Sequence, residues 1–494
     1  LTYQTKIKKK HNLDLLAGYE INSKESDGLG TTISNFARWD KPEVNNGVVY
    51  QSMGGSNSTT RIVSYITRAN YDYDNKYYLG ASWRTDGSSR LARENRWGNF
   101  WSLSGAWRVS SESFMKPLQN WLSDLKLRVS YGVNGTLPSS YYGYMGLSSL
   151  TSNYNDNPGI KQSQLENKEL TWETNYNFNS GIDLGFFDNR LNVTFEYYVR
   201  TTKNLLYSRP LSLATGFSSY LANIGKLQNK GYELEIRSTN IETKDFRWST
   251  SLNLGHNANK ILKLDGDLKQ VTSGTSIHKV GLPYSTYYMI EFAGIDPVDG
   301  EPMFYKNTTD ENGNLNKETT KDPRSAEKVI LQCADPTITG GLGNSISYKW
   351  FDLNFNVNFS FGAWNYDGAA GKLEHGGDGT LNIPIYYRKR WQKEGDETSI
   401  ERFVVGRSIS MTDYATTRRL YSGDYVRLKN LTFGFTLPKT WTRKVGIDNI
   451  RLYASGNNLL TWAAYDYIDP ESGSSPSWDT PPMRTYTFGL EVKF

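Results

Sequence analysis

The stretch Phe351–Phe361, with the sequence FDLNFNVNFSF, alternates strictly between large apolar and polar residues. A helix would scatter the two sets around its circumference, whereas an extended strand places them on opposite faces. The stretch therefore predicts a β-strand with one apolar and one polar face. The apolar positions are Phe351, Leu353, Phe355, Val357, Phe359 and Phe361, and the polar ones are Asp352, Asn354, Asn356, Asn358 and Ser360.

The same two-residue period recurs along the whole chain and predicts about 15 strands. Most of these segments run for about 9 to 11 residues or more, which is the length of a tilted membrane-crossing strand, whereas strands of soluble proteins usually have about 5 to 6 residues. The predicted strands are residues 2–10, 13–21, 61–73, 77–85, 100–109, 125–133, 171–184, 189–201, 231–239, 246–256, 341–349, 351–361, 426–437, 450–462 and 484–494.

Composition limits the classes of protein to consider. The 494 residues carry 56 Lys and Arg against 51 Asp and Glu, so the net charge of +5 is too small and too evenly spread for a nucleic-acid-binding face. The single cysteine, Cys333, can form no disulfide within the chain. The sequence has no apolar run of about 18 residues, so it predicts no membrane-spanning helix, although β-barrels cross membranes without such a run.

The connections between the predicted strands alternate between tight turns and long polar loops, as in outer-membrane barrels. Tight turns are expected at residues 10–12, 73–76, 187–189 and 349–352. A closed antiparallel barrel needs an even number of strands, so an odd count leads us to expect further strands before residue 1. Long extracellular loops are expected at about residues 22–60, 86–98, 135–170, 204–228, 259–338, 364–423 and 463–483.

Several phrases, in a fixed order over the whole chain, resemble the barrel of the SusC/RagA branch of TonB-dependent transporters. Together they are far more specific than any one of them. They are residues 71–79 (YDYDNKYYL), 84–90 (RTDGSSR), 97–98 (WG), 125–132 (LKLRVSYG), 181–184 (GIDL), 229–233 (NKGYE), 294–297 (GIDP), 340–342 (GGL), 390–391 (RW), 395–398 (GDET) and 457–459 (NNL).

This resemblance implies an all-β transmembrane antiparallel barrel of 22 strands, of which about 15 are visible, with a plug domain and the first strands missing. It implies active import through the outer membrane of a Gram-negative, Bacteroidota-type bacterium. The partners it implies are a SusD-like surface lipoprotein that caps the mouth, and a TonB complex that binds a region outside this chain. Contact with outer-membrane lipid and lipopolysaccharide is also expected, the latter through Arg90, Arg93 and Arg96; a solvated loop is the alternative.

The sequence predicts no enzyme, no cofactor and no metal site. The four histidines lie far apart, and none has the nearby partners that catalysis would require. Glu374, His375 and Asp378 are the nearest approach to a metal-binding set, but they lie in a Gly-rich stretch typical of a loop.

Aromatic residues in the long loops are the predicted substrate-binding residues. A Trp or Tyr ring can stack on the apolar face of a sugar while neighbouring polar groups bind its hydroxyls. Packing within the loops, or contact with a partner lid, would use the same residue types. The residues are Trp39, Tyr141, Tyr142, Tyr144, Trp364, Tyr366, Tyr386, Tyr387 and Trp478.

The expected function is import of glycan oligosaccharides. Three alternatives remain at this point: a peptide importer of the same family, a soluble secreted carbohydrate-binding β-protein, and a passive porin with the same wall. All of these interpretations except the soluble protein require that the apolar face of each strand contacts lipid and not a second protein layer.

Overall fold

Fifteen long strands form one sheet in the computed structural model, and each strand pairs with the next long strand along the chain. The structure describes residues 1–494 apart from 156, 265, 267, 311–312, 378–381, 407–413, 466, 473–479 and 481. The strands are β1 (Thr2–Ile7), β2 (His11–Phe36), β3 (Gly47–Tyr73), β4 (Tyr77–Ser88), β5 (Trp97–Arg108), β6 (Leu122–Thr136), β7 (Glu173–Phe186), β8 (Leu191–Lys203), β9 (Lys226–Glu242), β10 (Phe246–Lys263), β11 (Ile338–Tyr348), β12 (Phe351–Phe361), β13 (Tyr425–Thr436), β14 (Asn449–Ala463) and β15 (Thr485–Lys493).

Shorter elements lie in the connections. The short strands are Leu147–Tyr154, Asn157–Gln164, Leu206–Pro210, Ser219–Asn223, Gln270–Ser273, Ser276–Lys279, Thr286–Ile290, Phe292–Ile295, Pro302–Tyr305, Thr319–Thr320, Lys328–Cys333, Trp364–Tyr366 and Leu420–Ser422. The α-helices are Gly368–Leu373 and Lys439–Thr442. The 3₁₀ helices are Val44–Asn46, Arg93–Asn95, Val109–Ser111, Ser113–Leu118, Leu213–Thr215, Pro323–Ser325, Ile385–Lys389, Thr417–Arg419, Arg443–Val445 and Pro470–Ser472. Among the described residues, none of the helices is long and apolar enough to span a membrane.

The predicted all-β class and antiparallel strand order are confirmed, and each of the fifteen predicted strands overlaps one of β1 to β15.

The turn at residues 73–76 shows why the strands pair with their neighbours. Both Asp74 and Asn75 have positive φ, at 54° and 55°, which is the backbone of a tight two-residue hairpin turn and favours Asp and Asn.

The chain divides into two compact units. The first unit comprises residues 1–112, 127–180 and 200–227, and the second comprises residues 113–126, 181–199 and 228–494.

In the first unit, one face of β1 to β5 is apolar and exposed. Alternate residues of β4 are exposed, with Leu79 exposed to 61 %. An aromatic row crosses the sheet near the tight turns, where Ile7, His11, Tyr73, Tyr77 and Trp107 are successive cross-strand partners. A smaller apolar row follows, formed by Leu15, Ala69, Ala81 and Leu103.

A second group of aromatic residues lies at the other end of this apolar face. Tyr19 and Tyr65 are cross-strand partners with ring centroids 5.1 Å apart, and Trp97 stacks on Tyr65 at 6.2 Å. Tyr65 lies eight residues from Tyr73, about 27 Å along the strand. At the strand tilt of about 40° found in outer-membrane barrels this projects to about 20 Å, close to the ~25 Å of their apolar band.

In the second unit, the two faces of the sheet differ in the same way. One row runs across five strands through Leu252, Leu342, Val357, Leu428 and Leu460. The neighbouring row on the opposite face is Asn253, Gly341, Asn358, Arg427 and Thr461. Part of the polar face forms an open concavity lined by Glu196, Glu233, Glu235, Asn253 and Asn358, among others.

The loop prediction for residues 22–60 needs correction, because β2 and β3 continue through most of it. Cross-strand pairs extend from His11 with Tyr73 to Phe36 with Gly47, and only residues 37–46 connect the two strands. The extension is rich in Gly, Ser and Thr and has no strict apolar alternation, so the period that reveals the other strands does not reveal this one.

The other long loops of the second unit contain their own small cores. Tyr287, Met289 and Leu420 are buried together, and Ile290 packs with Phe304. A buried ionic cluster lies in the loop of residues 364–423. Arg418 Nη1 lies 2.5 Å from Glu401 Oε2, and the Glu401 residue is fully buried. Glu374 accepts from Arg419 Nε at 3.3 Å.

A tight turn joins two of these loops. Trp391 Nε1 donates to the carbonyl of Pro297 at 3.0 Å, and the Arg402 amide donates to the carbonyl of Gly300 at 3.0 Å. Gly300 has φ +72°, and a Cβ there would lie 2.4 Å from the Trp391 ring. Lys321 Nζ pairs with both Asp296 and Asp299. The sequence phrases at residues 294–297, 390–391 and 395–398 thus lie together where these two loops contact each other.

We expect Val357→Arg to destabilise the protein by about 2 to 4 kcal/mol, because it places a charge in the middle of the apolar face of the sheet, where lipid is expected. Asn358→Arg, on the opposite face and directed at the polar concavity, should cost clearly less. Denaturant titrations of the folded protein in detergent micelles measure both changes. Equal costs would contradict the assignment of the two faces.

We expect Glu401→Ala to loosen the loop of residues 364–423, because it leaves the Arg418 guanidinium buried without its counter-charge, at a cost of about 3 to 5 kcal/mol. Hydrogen exchange of the amides of Ile385–Lys389 and Thr417–Arg419 should become faster. Glu394→Ala removes an exposed carboxylate from the same loop and serves as the control. Unchanged exchange in Glu401→Ala would show that the ion pair does not hold the loop.

Candidate functional site

In the first unit, three of the predicted substrate-binding aromatics pack against the protein. The hydroxyl of Tyr142 accepts a hydrogen bond from the amide of Thr59 at 2.9 Å, which fastens the loop to the edge of β3. The Arg90 guanidinium lies 4.4 Å from the centre of the Tyr141 ring. Tyr144 packs against the buried cluster of Leu91, Phe100, Val133, Leu170 and Trp172.

Trp39 lies in the connection between β2 and β3 and is 90 % exposed. It sits between Arg38 and Asp40, whose side chains form a two-point hydrogen-bonded pair. The structure therefore separates Trp39 from the other three aromatics of this unit, which are partly buried in the loops.

In the second unit, Trp364 and Tyr366 pack against the buried cluster of Tyr287, Met289 and Leu420. Tyr387 is 1 % exposed, and its hydroxyl donates to Glu401 Oε1 at 2.9 Å. These three residues support the loops from within. Trp478 lies outside the described residues.

Tyr386 takes part in a tyrosine cluster, which we define as Tyr386, Tyr421, Tyr465 and Tyr467. The rings of Tyr421 and Tyr465 stack at 3.7 Å. Tyr467 contacts the rings of both Tyr386 and Tyr465, with centroids 5.4 Å apart in each case. Tyr467 is 70 % exposed, whereas the other three are partly buried. Tyr467 is thus the exposed ring of the cluster, and the other three tyrosines form a partly buried base beneath it.

Carboxylates fix the hydroxyl groups of this base. Tyr386 donates to Glu374 Oε1 at 2.5 Å, and Tyr465 donates to Asp367 Oδ2 at 3.0 Å. Asp367 also accepts from the amide of Ala370 at 2.7 Å, which caps the helix Gly368–Leu373. The hydroxyls of Tyr386 and Tyr465 are therefore already engaged, and these two residues offer ring surface to their neighbours.

Burial is the main cause of the pKa shifts of the phenols in this cluster. It raises the pKa of Tyr386, with a further contribution from Glu374, and it raises the pKa of Tyr465 beside Tyr421 and Asp367. Burial alone would lower the pKa of Arg418, but the charges of Glu401 and Glu374 outweigh it and raise that pKa. The phenols stay protonated and the guanidinium stays charged at any physiological pH.

Sequence reasoning missed Tyr421, Tyr465 and Tyr467. All three are aromatic and lie in the predicted long loops of residues 364–423 and 463–483, so residue type and position are the signal that could have indicated them. What the sequence could not indicate is that residues of two different loops stack on one another.

Within the described residues, no group of three or more His, Cys, Asp and Glu side chains is placed to hold a metal ion. Of the set considered above, Glu374 is paired with arginine, and Asp378 lies outside the described residues.

Comparisons with known proteins agree with this architecture. A family model described as TonB dependent receptor-like, beta-barrel, matches residues 2–459. The TonB-dependent receptor P3 of Formosa agariphila is 34 % identical over 98 % of this chain and 51 % of its own length. The TonB-dependent receptor SusC of Bacteroides thetaiotaomicron is 30 % identical over 88 % of this chain and 44 % of its own.

A solved structure of the RagAB peptide transporter has a chain that is 29 % identical to this one, with a TM-score of 0.85. The similarity covers 100 % of this chain and 54 % of that chain. The chain therefore spans about half the length of the relatives that it matches.

These matches extend over nearly the whole chain and fit the two-faced sheet described above. They exclude the alternative of a soluble secreted carbohydrate-binding protein and place the chain in the outer membrane, in a family that is not enzymatic. The chain belongs to the TonB-dependent receptor β-barrel family, in its SusC/RagA-like branch.

Proposed function

We propose that the protein imports glycan oligosaccharides across the outer membrane in an energy-dependent manner. The observation that carries this proposal is the similarity to SusC and to the RagAB transporter over 88 % and 100 % of the chain. The strands described here would supply the wall of the import path, and the long loops would supply its outer opening.

The proposed partners are a SusD-like surface lipoprotein over that opening and a TonB complex that binds a region outside this chain. The similarity to a structure of the RagAB peptide transporter supports the first of these. Contact with lipopolysaccharide is proposed for the loop that carries Arg90, Arg93 and Arg96. Within it, Arg90 is already bound to the carbonyl of Pro138 at 3.0 Å, whereas Arg93 is exposed and is the more available cation.

The tyrosine cluster is the proposed contact for the glycan. An exposed aromatic ring can stack on the C–H face of a sugar, and such a contact gains more when the ring is held in place beforehand. Tyr467 meets both conditions, because its ring is open and is supported by Tyr386 and Tyr465. Among the predicted aromatics, Trp39 is also open, but it stands at the tip of a hairpin.

Peptide import is the second candidate, and the likeness to a peptide transporter favours it. Peptides are recognised largely through their backbone hydrogen-bonding groups and their charged ends. The tyrosine cluster supplies ring surface, and the hydroxyl groups of two of its members, Tyr386 and Tyr465, are engaged by Glu374 and Asp367. This arrangement suits the apolar face of a sugar better than a polar peptide backbone.

We expect Tyr467→Ala to weaken oligosaccharide binding by about tenfold, equivalent to ~1.4 kcal/mol, because the stacking surface is lost. Tyr467→Phe should retain most of the affinity, since the ring remains. Calorimetry of the full-length protein against neutral α- and β-linked hexasaccharides measures the effect. Tyr154→Ala removes another exposed tyrosine, 84 % against 70 % for Tyr467, from a different loop and is the matched control.

Binding of a mixture of tryptic peptides to the same preparations would distinguish the two substrate classes. Affinity for peptides but for none of the oligosaccharides would replace the glycan proposal with the peptide alternative. Equal losses of affinity in Tyr467→Ala and Tyr154→Ala would show that the tyrosine cluster is not the binding site. The proposed import function would be unaffected by that result.

Energy dependence separates an importer from a passive porin. We expect that a strain carrying the full-length protein loses uptake of the bound oligosaccharide when its TonB is deleted, because a path closed by a plug must be opened by work. Uptake by the parent strain, by the TonB deletion and by the deletion with TonB restored measures this. Unchanged uptake without TonB would favour the porin.

A further inference from the structure

The tight turn between β11 and β12 and the connection between β13 and β14, residues 437–448, lie side by side at one end of the sheet. The amide of Thr436, the last residue of β13, donates to the carbonyl of Trp350 in the tight turn at 2.7 Å. Outer-membrane barrels place their tight turns on the periplasmic side. These two connections therefore lie where the sheet meets the periplasmic leaflet of the membrane.

The fold of the connection leaves its aromatic and basic side chains exposed. It begins with the short helix Lys439–Thr442, which follows directly on Pro438. Thr442 is buried, and its hydroxyl donates to the carbonyl of Asp448 at 3.4 Å, which holds the helix against the end of the connection. The residues on either side of Thr442 that remain exposed are Trp441, Arg443 and Lys444.

The two connections carry an excess of positive charge. Lys439 Nζ lies 3.3 Å from Asp448 Oδ1, and Asp448 is the one acidic residue of the connection. Arg443 and Lys444 form no ion pair within the part of the chain that the structure describes, and Lys349 in the tight turn is exposed as well. Three cations thus lie at the same edge of the sheet without a carboxylate to neutralise them.

Two tryptophans lie among these cations. Trp350 is 47 % exposed and Trp441 is 60 % exposed. The apolar face of the sheet begins directly beside them, with the rings of Phe351 and Phe435 4.9 Å apart. Tryptophan is enriched where a membrane protein passes from hydrocarbon to headgroups, because its ring is apolar and its N–H is polar. We call the set of Lys349, Trp350, Trp441, Arg443 and Lys444 the turn patch.

We propose that the turn patch binds the phosphate headgroup of an anionic phospholipid, such as phosphatidylglycerol, in the periplasmic leaflet. Lys and Arg side chains close to a membrane surface attract anionic lipids, and a guanidinium group can bind a phosphate through two hydrogen bonds. The tryptophan rings contact the glycerol and the upper part of the acyl chains, which a soluble anion lacks. The proposal does not depend on which substrate is imported.

The turn between β1 and β2 offers a comparison, because it has the charge of the turn patch without its aromatics. Lys6, Lys8 and Lys9 are exposed there, and residues 1–16 contain no tryptophan. A general attraction of anionic lipid to positive charge would act on both places alike. Binding by the turn patch requires the cations and the tryptophans together.

The test measures how tightly the full-length protein, in a neutral detergent, binds phosphatidylglycerol and phosphatidylcholine of the same short chain length. We expect phosphatidylglycerol to bind about tenfold more tightly, or better, because the turn patch supplies three cations. Lys349→Gln with Arg443→Gln and Lys444→Gln should abolish this preference.

The matched control is Lys6→Gln with Lys8→Gln and Lys9→Gln, which removes the same charge and should leave the preference intact. Equal losses in the two triple variants would show a general charge effect and overturn the proposal. A parent protein that does not prefer phosphatidylglycerol would overturn it as well.

Inorganic phosphate separates a lipid site from a site for a soluble anion. At the same concentration, it should displace bound phosphatidylglycerol far less than unlabelled phosphatidylglycerol does, because it makes no contact with the tryptophan rings. Trp350→Ala with Trp441→Ala should weaken phosphatidylglycerol binding. Equal displacement by the two competitors would show that the turn patch binds phosphate alone.

A measurement that leaves the turn patch intact keeps the test decisive if the triple variant fails to fold. In a Cys333→Ser background, Thr440→Cys carries a fluorescent label in phosphatidylcholine vesicles that contain a small fraction of a phospholipid with a nitroxide on its acyl chain. Nitroxide-labelled phosphatidylglycerol should quench the label more strongly than nitroxide-labelled phosphatidylcholine. A label on Ser218→Cys, in a long loop, should show no difference. Equal quenching by the two lipids at Thr440→Cys would overturn the proposal.

Discussion

The two-residue alternation along paired strands is the constraint on which the rest of the structure depends. Hydrocarbon offers no hydrogen bonds, so every backbone amide and carbonyl in the membrane must pair with a neighbouring strand. Strands that join through tight turns, such as the one at Asp74 and Asn75, satisfy this requirement locally. The alternation then separates rows such as Leu252 to Leu460 from rows such as Asn253 to Thr461, and one sheet can face lipid and water at once.

The loops solve a different physical problem, because they have no lipid and little sheet to pack against. Small apolar clusters and buried ion pairs hold them, as at Glu401 with Arg418. Such a pair contributes little net stability compared with an apolar contact, but removing one partner is costly. It therefore favours one arrangement of the loop over others, and the same loop supplies Tyr386 to the tyrosine cluster.

The strands could be predicted from the sequence because their signal is local, with each residue related to those two positions away. The extension of β2 and β3 escaped prediction, since Gly28 with Ser56 and Gly30 with Gly54 pair without any apolar pattern. The roles of the loop aromatics were equally hidden. Tyr142 fastens Thr59 from 83 residues away, and Glu374 meets Arg419 from 45 residues away. No local period encodes such contacts.

A ring that binds a passing nutrient must be held still and yet remain uncovered. Fixing a flexible side chain upon binding costs about 0.5 to 1.5 kcal/mol, so support provided in advance is retained as affinity. In the proposed site, the buried carboxylates of Glu374 and Asp367 fix the supporting rings, and Tyr467 alone is open. A single stacking surface of this kind gives moderate affinity, and a transport path needs sites that are favourable enough to enter and weak enough to leave. The tyrosine cluster is therefore better suited to binding a ligand transiently during transport than to retaining it tightly.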